Sequence, residues 1–193
     1  MENLKVKEKD ADLEAFKPLI QQKVREKFTS LDQIRDHGAF RAYRDFFWSV
    51  GIDPTKTRPA SEALTRRIVA GKDLPTINTL VDAYNLASVE SFIAIAAFDL
   101  DSLSSEDLFM RTAGKGEHFR GIGMDADLEL KGIEIVIEDS GKLVAVYPYR
   151  DSDESKVSLQ TRSALLLMRG VPGVQNLHEA SRLSQEYVGR FCR

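Results

Sequence analysis

Apolar residues recur at helical spacing through the first half of the chain. Leu13, Phe16, Leu19, Ile20, Val24 and Phe28 outline one stripe, with most intervening charges on the other face, which predicts an amphipathic helix over about 11–28. A second helix is expected from Leu31 to Gly51, with Ser30 as N-cap, Gly38 as a point of interruption, and Ile34, Phe40, Tyr43, Phe46, Phe47 and Val50 inward. Asp53-Pro54 reads as a turn. Pro59 then suits the first position of a third helix that Leu64, Ile68 and Val69 bury and Gly71 closes. Leu80, Val81, Tyr84 and Ala87 are in helical phase over about 78–91. Phe98-Asp99-Leu100-Asp101 reads as a helix-terminating turn.

Past Asp101 the period changes. Ile133, Ile135 and Ile137 alternate with Glu134, Val136 and Glu138, and Asp139 to Lys142 supplies turn residues before Leu143 to Tyr149, which is a β-hairpin signal. The short apolar run Ala164 to Met168 reads as a buried strand, and Leu177, Ala180, Ser184, Tyr187, Val188 and Phe191 outline a closing helix. The fold class that follows is α+β, a helical layer packed on a mainly antiparallel sheet. The hairpin and the 164–168 run are expected to share that sheet, with helix 78–91 against it. One domain over 1–193 is expected, helical to about 101, sheet-rich over about 102–175, helical again over about 176–191.

Composition narrows the function classes. A chain of 193 residues buries roughly 70% of its unfolded surface, so no metal or disulfide is needed for stability. The single cysteine, Cys192, forms no disulfide framework and suits a reducing cytoplasm. No apolar stretch approaches the ~20 residues of a membrane span, and the charged N-terminal dozen residues do not read as a signal peptide. Charges of 27 basic against 30 acidic residues argue against binding nucleic acid by whole-surface electrostatics, so such a role requires a local patch. Lys56, Arg58, Arg66, Arg67 and Lys72, against Glu62 and Asp73, form one that could meet phosphates or simply be a solvated helix face.

Candidate chemistry is sparse. Gly121-Ile122-Gly123-Met124-Asp125-Ala126 fits a loose dinucleotide pattern, but a strand rather than a helix is expected after it, so a glycine turn entering the sheet is the better reading. His37, His118 and His178 stand far apart, no metal site or cofactor is expected, and Cys192 reads as an incidental thiol. Asn78, Asp82 and Asn85 share one face of their helix and serve either to satisfy loop backbone groups or to brace a ligand pocket. Tyr147-Pro148-Tyr149-Arg150-Asp151-Ser152-Asp153 leaves a strand carrying phenols, a guanidinium, carboxylates and a hydroxyl, as a binding site or a salt-bridged turn.

Several of these stretches, taken in order, resemble the B3/B4 editing domain of the β subunit of phenylalanyl-tRNA synthetase, and more closely its free-standing relatives. The resemblance runs through residues 42–47, 51–64, 77–85, 97–101, Gly116-Glu117 and Arg150-Asp151-Ser152, so about residues 40 to 175 are covered. It implies a domain that binds an aminoacyl group on tRNA and hydrolyses the ester through a positioned water, with no covalent nucleophile. Asn78, Asp82 and Asn85 would then brace the pocket, Gly123 would let the backbone approach the ligand, and Tyr149, Arg150, Asp151 and Ser152 would contact it. Lys56, Arg58, Arg66 and Arg67 would meet tRNA phosphates. Two departures alter the pocket. Ala96 stands where the synthetase domains carry a histidine, and Tyr147-Pro148-Tyr149-Arg150 replaces a glycine-rich segment, so tyrosine specificity does not carry over. A non-catalytic module that binds an amino-acid-like ligand or RNA is the rival. Neither reading makes the chain a complete tRNA ligase.

Overall fold

In a computed structural model, which describes residues 1–105 and 107–193, the helical half follows its periodicity closely. Helix α1 spans Ala11–Lys27, its first N–H groups capped by the Asp10 carboxylate, which accepts from Asp12 and Leu13. The expected second helix is two, α2 (Leu31–Asp36) and α3 (Gly38–Ser49). The break falls at His37, whose backbone is extended, and Gly38 opens the next helix. Helix α4 covers Ala60–Val69, with Pro59 one residue earlier than expected, in the capping position. Helix α5 covers Thr79–Ser91 and stops at Phe92, which turns left-handed with φ 63°.

The residues after α5 depart from the sequence reading. Ala94–Asp99 is strand β1, every residue but the last buried, followed by a 3-10 turn at Leu100–Ser102. An alanine-rich run hidden on both faces shows neither a two-residue nor a 3.6-residue period, which is why the pattern missed it. Strands β2 (Phe109–Thr112), β3 (His118–Phe119), β4 (Leu128–Glu129), β5 (Ile135–Asp139), β6 (Lys142–Tyr147), β7 (Arg150–Asp151) and β8 (Ala164–Arg169) follow, and helix α6 (Leu177–Phe191) closes the chain.

All pairing among the described residues is antiparallel, but not in one sheet. The expected β5–β6 hairpin forms, turned by Ser140 and Gly141 at φ 47° and 88°, the signature of a two-residue turn matched to strand twist. It lies in a four-stranded sheet ordered β2-β5-β6-β7. Strand β8 forms as expected yet pairs with β1 in a separate ribbon, Ala94 opposite Arg169 and Asp99 opposite Ala164. Hairpin and β8 are therefore in different sheets, because β8's partner is the strand that periodicity did not reveal. Helix α5 packs on that ribbon's β1 rather than on the hairpin.

Three apolar clusters hold these layers. Phe40, Ile68, Leu80, Leu86 and Ile93 sit among the helices; Tyr43, Ala96, Phe98, Ile137, Ala145 and Tyr147 join α3 to the β1–β8 ribbon and the four-stranded sheet; Phe119, Leu130, Val136 and Val146 lie under the far face of the four-stranded sheet. Each buried large side chain contributes about 1.5–3 kcal/mol. Lys17 ties α1 to α5 from within: its ammonium donates to Asp82 Oδ2 at 2.7 Å, Thr76 Oγ1 at 3.0 Å and Glu14 Oε1 at 2.5 Å, so all three of its protons are used.

Candidate functional site

Strand β6, inside the four-stranded sheet, ends at Tyr147, and the Tyr149 N–H bonds the Val146 carbonyl at 3.0 Å as the chain reverses into the edge strand β7. Arg150 then lies opposite Val146 and Asp151 opposite Ala145. The other side of β7 is closed by the glycine turn: Ile122 N–H donates to the Asp151 carbonyl at 2.9 Å, Asp153 N–H to the Arg120 carbonyl at 3.1 Å, and Gly121 bridges Ser152. Two stretches separated by nearly thirty residues are thereby zipped together by main-chain bonds.

Their side chains interlock. The Arg150 stem crosses Gly121 so closely that a Cβ there would meet Arg150 Cδ at 2.3 Å. Its guanidinium donates through Nη1 to the Ile122 carbonyl at 3.2 Å and stands 5.7 Å from the Tyr149 ring centre. Close approach thus needs a glycine at 121. Gly123 is needed for its backbone, φ 74°, and the space beside its Cα is open.

On the inner side, Arg169 at the end of β8 donates through Nη2 to Asp151 and through Nη1 to the Pro148 carbonyl at 2.8 Å. Burial pushes the Asp151 carboxyl above its ordinary value while Arg169 pulls it down. The Tyr84 phenol is pushed up by burial first and then by the Asp151 charge, so α5 comes within electrostatic reach of this pair. Tyr43 donates to the Arg169 carbonyl at 2.5 Å and accepts from Ala94 N–H at 3.0 Å, and Tyr147 donates to the Gly170 carbonyl.

A cleft of about 390 Å³ opens beside the junction, and Ser152 lines it with His118, Arg120, Asp127, Lys142 and Glu154. Both charge signs and a hydroxyl face this space. It can take a polar ligand bearing an ammonium group and an anionic or carbonyl oxygen. Among the described residues no group of three or more His, Cys, Asp or Glu side chains is placed to hold a metal. No helix is long and apolar enough to cross a membrane.

The other sequence-predicted residues lie elsewhere. Asn78 caps α5 by accepting from Val81 N–H at 2.9 Å, and Asp82 accepts from Ile77 N–H at 3.0 Å as well as from Lys17. These two satisfy backbone groups and a buried cation. Asn85 is half-buried on the same helix, and Ala96 is fully buried in β1. In the basic patch Lys56 and Arg58 are exposed, Arg67 donates to the Asp73 carbonyl, and Arg66 donates to Glu62 at 2.6 Å. Glu62 has no exposed surface and also takes Arg44, so Arg66 belongs to an internal ion cluster.

Tyr43 and Tyr84 were expected only as apolar positions of their helices, and Arg169 was not expected at the site. A lone arginine closing an apolar strand just before Gly170 was the one available signal for Arg169.

Comparison with known proteins adds a lineage to this geometry. The β subunit of phenylalanine–tRNA ligase from Thermotoga maritima is 31% identical over an alignment of 135 residues that covers 63% of this chain and 17% of that protein. The chain therefore spans about a sixth of the length of that relative. The crystal structure of an N-terminal fragment of the phenylalanyl-tRNA synthetase β subunit from Pyrococcus horikoshii aligns with a TM-score of 0.46 and 16% identity, over 57% of this chain and 40% of the fragment. The model of the B3/4 domain matches residues 42–193, from within α3 through all the strands and α6, and the chain belongs to the B3/4 domain family.

Proposed function

We propose that this protein is an editing-type domain of the cytoplasm that binds the aminoacyl end of a tRNA and hydrolyses its ester through a positioned water. One observation carries the reading: the glycine turn and the Arg150-Asp151-Ser152 strand, two separate parts of the site inferred from sequence, are joined by main-chain bonds beside a cleft. In this reading Arg150, which stands at the junction beside the cleft rather than in its lining, is the donor that stabilises the developing oxyanion, with the backbone around Gly123 assisting. Asp127 or Glu154 faces the α-ammonium, and Ser152 orients the water. A water as nucleophile requires no Ser-His or Cys-His pair. The exposed Lys56 and Arg58 meet phosphates of the tRNA.

The test is incubation of the protein with a panel of mischarged tRNAs that includes tyrosine and meta-tyrosine esters of the tRNA for phenylalanine. Faster loss of any ester than in buffer supports hydrolysis. Equal survival of all of them overturns it.

Ala96 favours a second reading. Its methyl group is fully buried in β1, so no side chain there reaches a ligand. A module that binds an amino-acid-like molecule without cleaving it then remains, and free amino acids would raise the melting temperature while every ester survives.

A further inference from the structure

We propose that Arg169 is a positioning residue: by holding strand β7 from behind, it sets the place of the Arg150 guanidinium. The inference rests on the reading of Arg150 given above, and it assigns a role to a side chain on a different sheet.

Arg169 stands between two sheets. It ends β8, opposite Ala94 of β1, whereas β7 belongs to the four-stranded sheet, so backbone pairing does not connect the two. The guanidinium makes the connection, gripping the Pro148 carbonyl and the Asp151 carboxylate, one on either side of Tyr149-Arg150. Its own carbonyl is fixed by the Tyr43 hydroxyl, and the next carbonyl by Tyr147. From Tyr43 on α3 to Asp151 on β7 the chain of bonds passes through Arg169 at every step. Pinning the residues on both sides of Arg150 leaves its backbone one place to be. Gly121 then directs its stem toward the Ile122 carbonyl.

Stability alone does not account for such a residue. Arg169 is 3% exposed, and its Nε proton has no acceptor among the described residues. A buried ion pair with an unpaired donor is often no better for stability than apolar side chains of the same volume. What an apolar residue could not supply is the two-pronged grip. The planar fork of arginine reaches a carbonyl and a carboxylate together, whereas the single ammonium of lysine offers a point charge.

The experiment compares wild type with Arg169→Lys and Arg169→Met in three readouts: melting temperature, cleavage after Arg150 by an arginine-specific protease with exposed Arg35 as the internal control, and single-turnover deacylation. Lysine keeps a positive charge opposite Asp151, so its melting temperature is expected to stay near wild type. Cleavage after Arg150 is expected to rise tenfold or more relative to cleavage after Arg35. The maximal deacylation rate is expected to fall at least tenfold, with the half-saturating tRNA concentration within twofold. If Arg169→Lys does not fold, Arg169→Gln is read in the same assays. A folded variant cleaved after Arg150 as slowly as wild type overturns the proposal. Should wild type cleave no ester, the editing reading fails, and the protease ratio still decides whether Arg169 holds β7.

Discussion

Arg44 of α3 grips Glu62 of α4 with two parallel bonds, Nε to Oε2 at 2.8 Å and Nη2 to Oε1 at 2.5 Å. Arg66, one turn further along α4, adds a third at 2.6 Å. A carboxylate with no exposed surface is thus matched by two guanidiniums that keep about a fifth of their side chains in water, 22% and 19%. Replacing Glu62 by glutamine leaves two cations facing each other across α3 and α4. The expected loss is about 2 kcal/mol, below the roughly 3–5 kcal/mol of a fully sealed pair because both arginines can turn toward solvent. Urea unfolding measures it, and an unchanged midpoint would contradict the internal role of this cluster.

That cluster changes how an RNA-binding face is tested. Reversing Arg66 puts a second carboxylate beside buried Glu62, so Arg66→Glu is expected to lower the melting temperature whatever it does to binding. Lys56, 83% exposed and 3.9 Å from Asp53, and the exposed Arg58 are the clean probes. The double variant Lys56→Glu with Arg58→Glu is expected to bind tRNA more weakly and to flatten the dependence of log K on log salt by about one to two units, with unchanged melting. Equal salt slopes for variant and wild type would take RNA off this face.

Gly121 and Arg150 form a coupled pair. Alanine at 121 requires the Arg150 stem to swing away, an overpacking cost of about 1–3 kcal/mol. In an Arg150→Ala background Cγ and Cδ are gone and Met124 Sδ, at 3.1 Å, is the close neighbour left, so the same substitution is expected to cost less than half as much. Additive losses in the double-mutant cycle would show that the two side chains do not share this space.

Much of the fold could be read from periodicity. Leu13 to Phe28, with Leu19 left exposed, and Ala180 to Phe191, with Leu177 left exposed, bury one stripe each, and such amphipathic helices announce themselves. The β5–β6 hairpin was visible because Ile135 and Ile137 face one core cluster and Val136 another, which keeps its alternation. Strand β1 was hidden by the opposite circumstance, burial on both faces in an alanine-rich run, and the pairing of β8 was lost with it. The site was half legible. Glycine turn and Arg150-Asp151-Ser152 stood out separately, but apart from the Arg150 guanidinium on the Ile122 carbonyl the bonds joining them are main-chain bonds, on which residue identity leaves no mark. Lys17 is 65 positions from Asp82, and nothing local marked the carboxylate as a structural partner.

Glu117, which lines the cleft beside the junction, provides a pH test. Arg111 beside it, bonded at 2.7 and 2.8 Å, and then the Gly114 N–H hold its carboxyl near about 2 rather than the ordinary 4.5. A lowered carboxylate stabilises the folded state above pH 4.5 and loses that contribution as pH falls toward 2. Wild type is therefore expected to exceed Glu117→Gln in stability at pH 6, and the gap is expected to shrink steadily between about pH 4.5 and 2. A gap that stays constant across this window would remove the Arg111 ion pair as its source.

The central claim, that Arg150 at the zipped junction promotes ester hydrolysis, is tested most directly by single-turnover deacylation with Arg150→Ala. The ester is the one that wild type cleaves fastest in the mischarged panel. Loss of one preorganised oxyanion donor typically slows the chemical step on the order of a hundredfold. The account predicts a fall of that size with a melting temperature close to wild type, since Arg150 bonds a single carbonyl at the surface of the turn. An Arg150→Ala protein that deacylates as fast as wild type, or a wild type that leaves every ester as long-lived as buffer does, would contradict it.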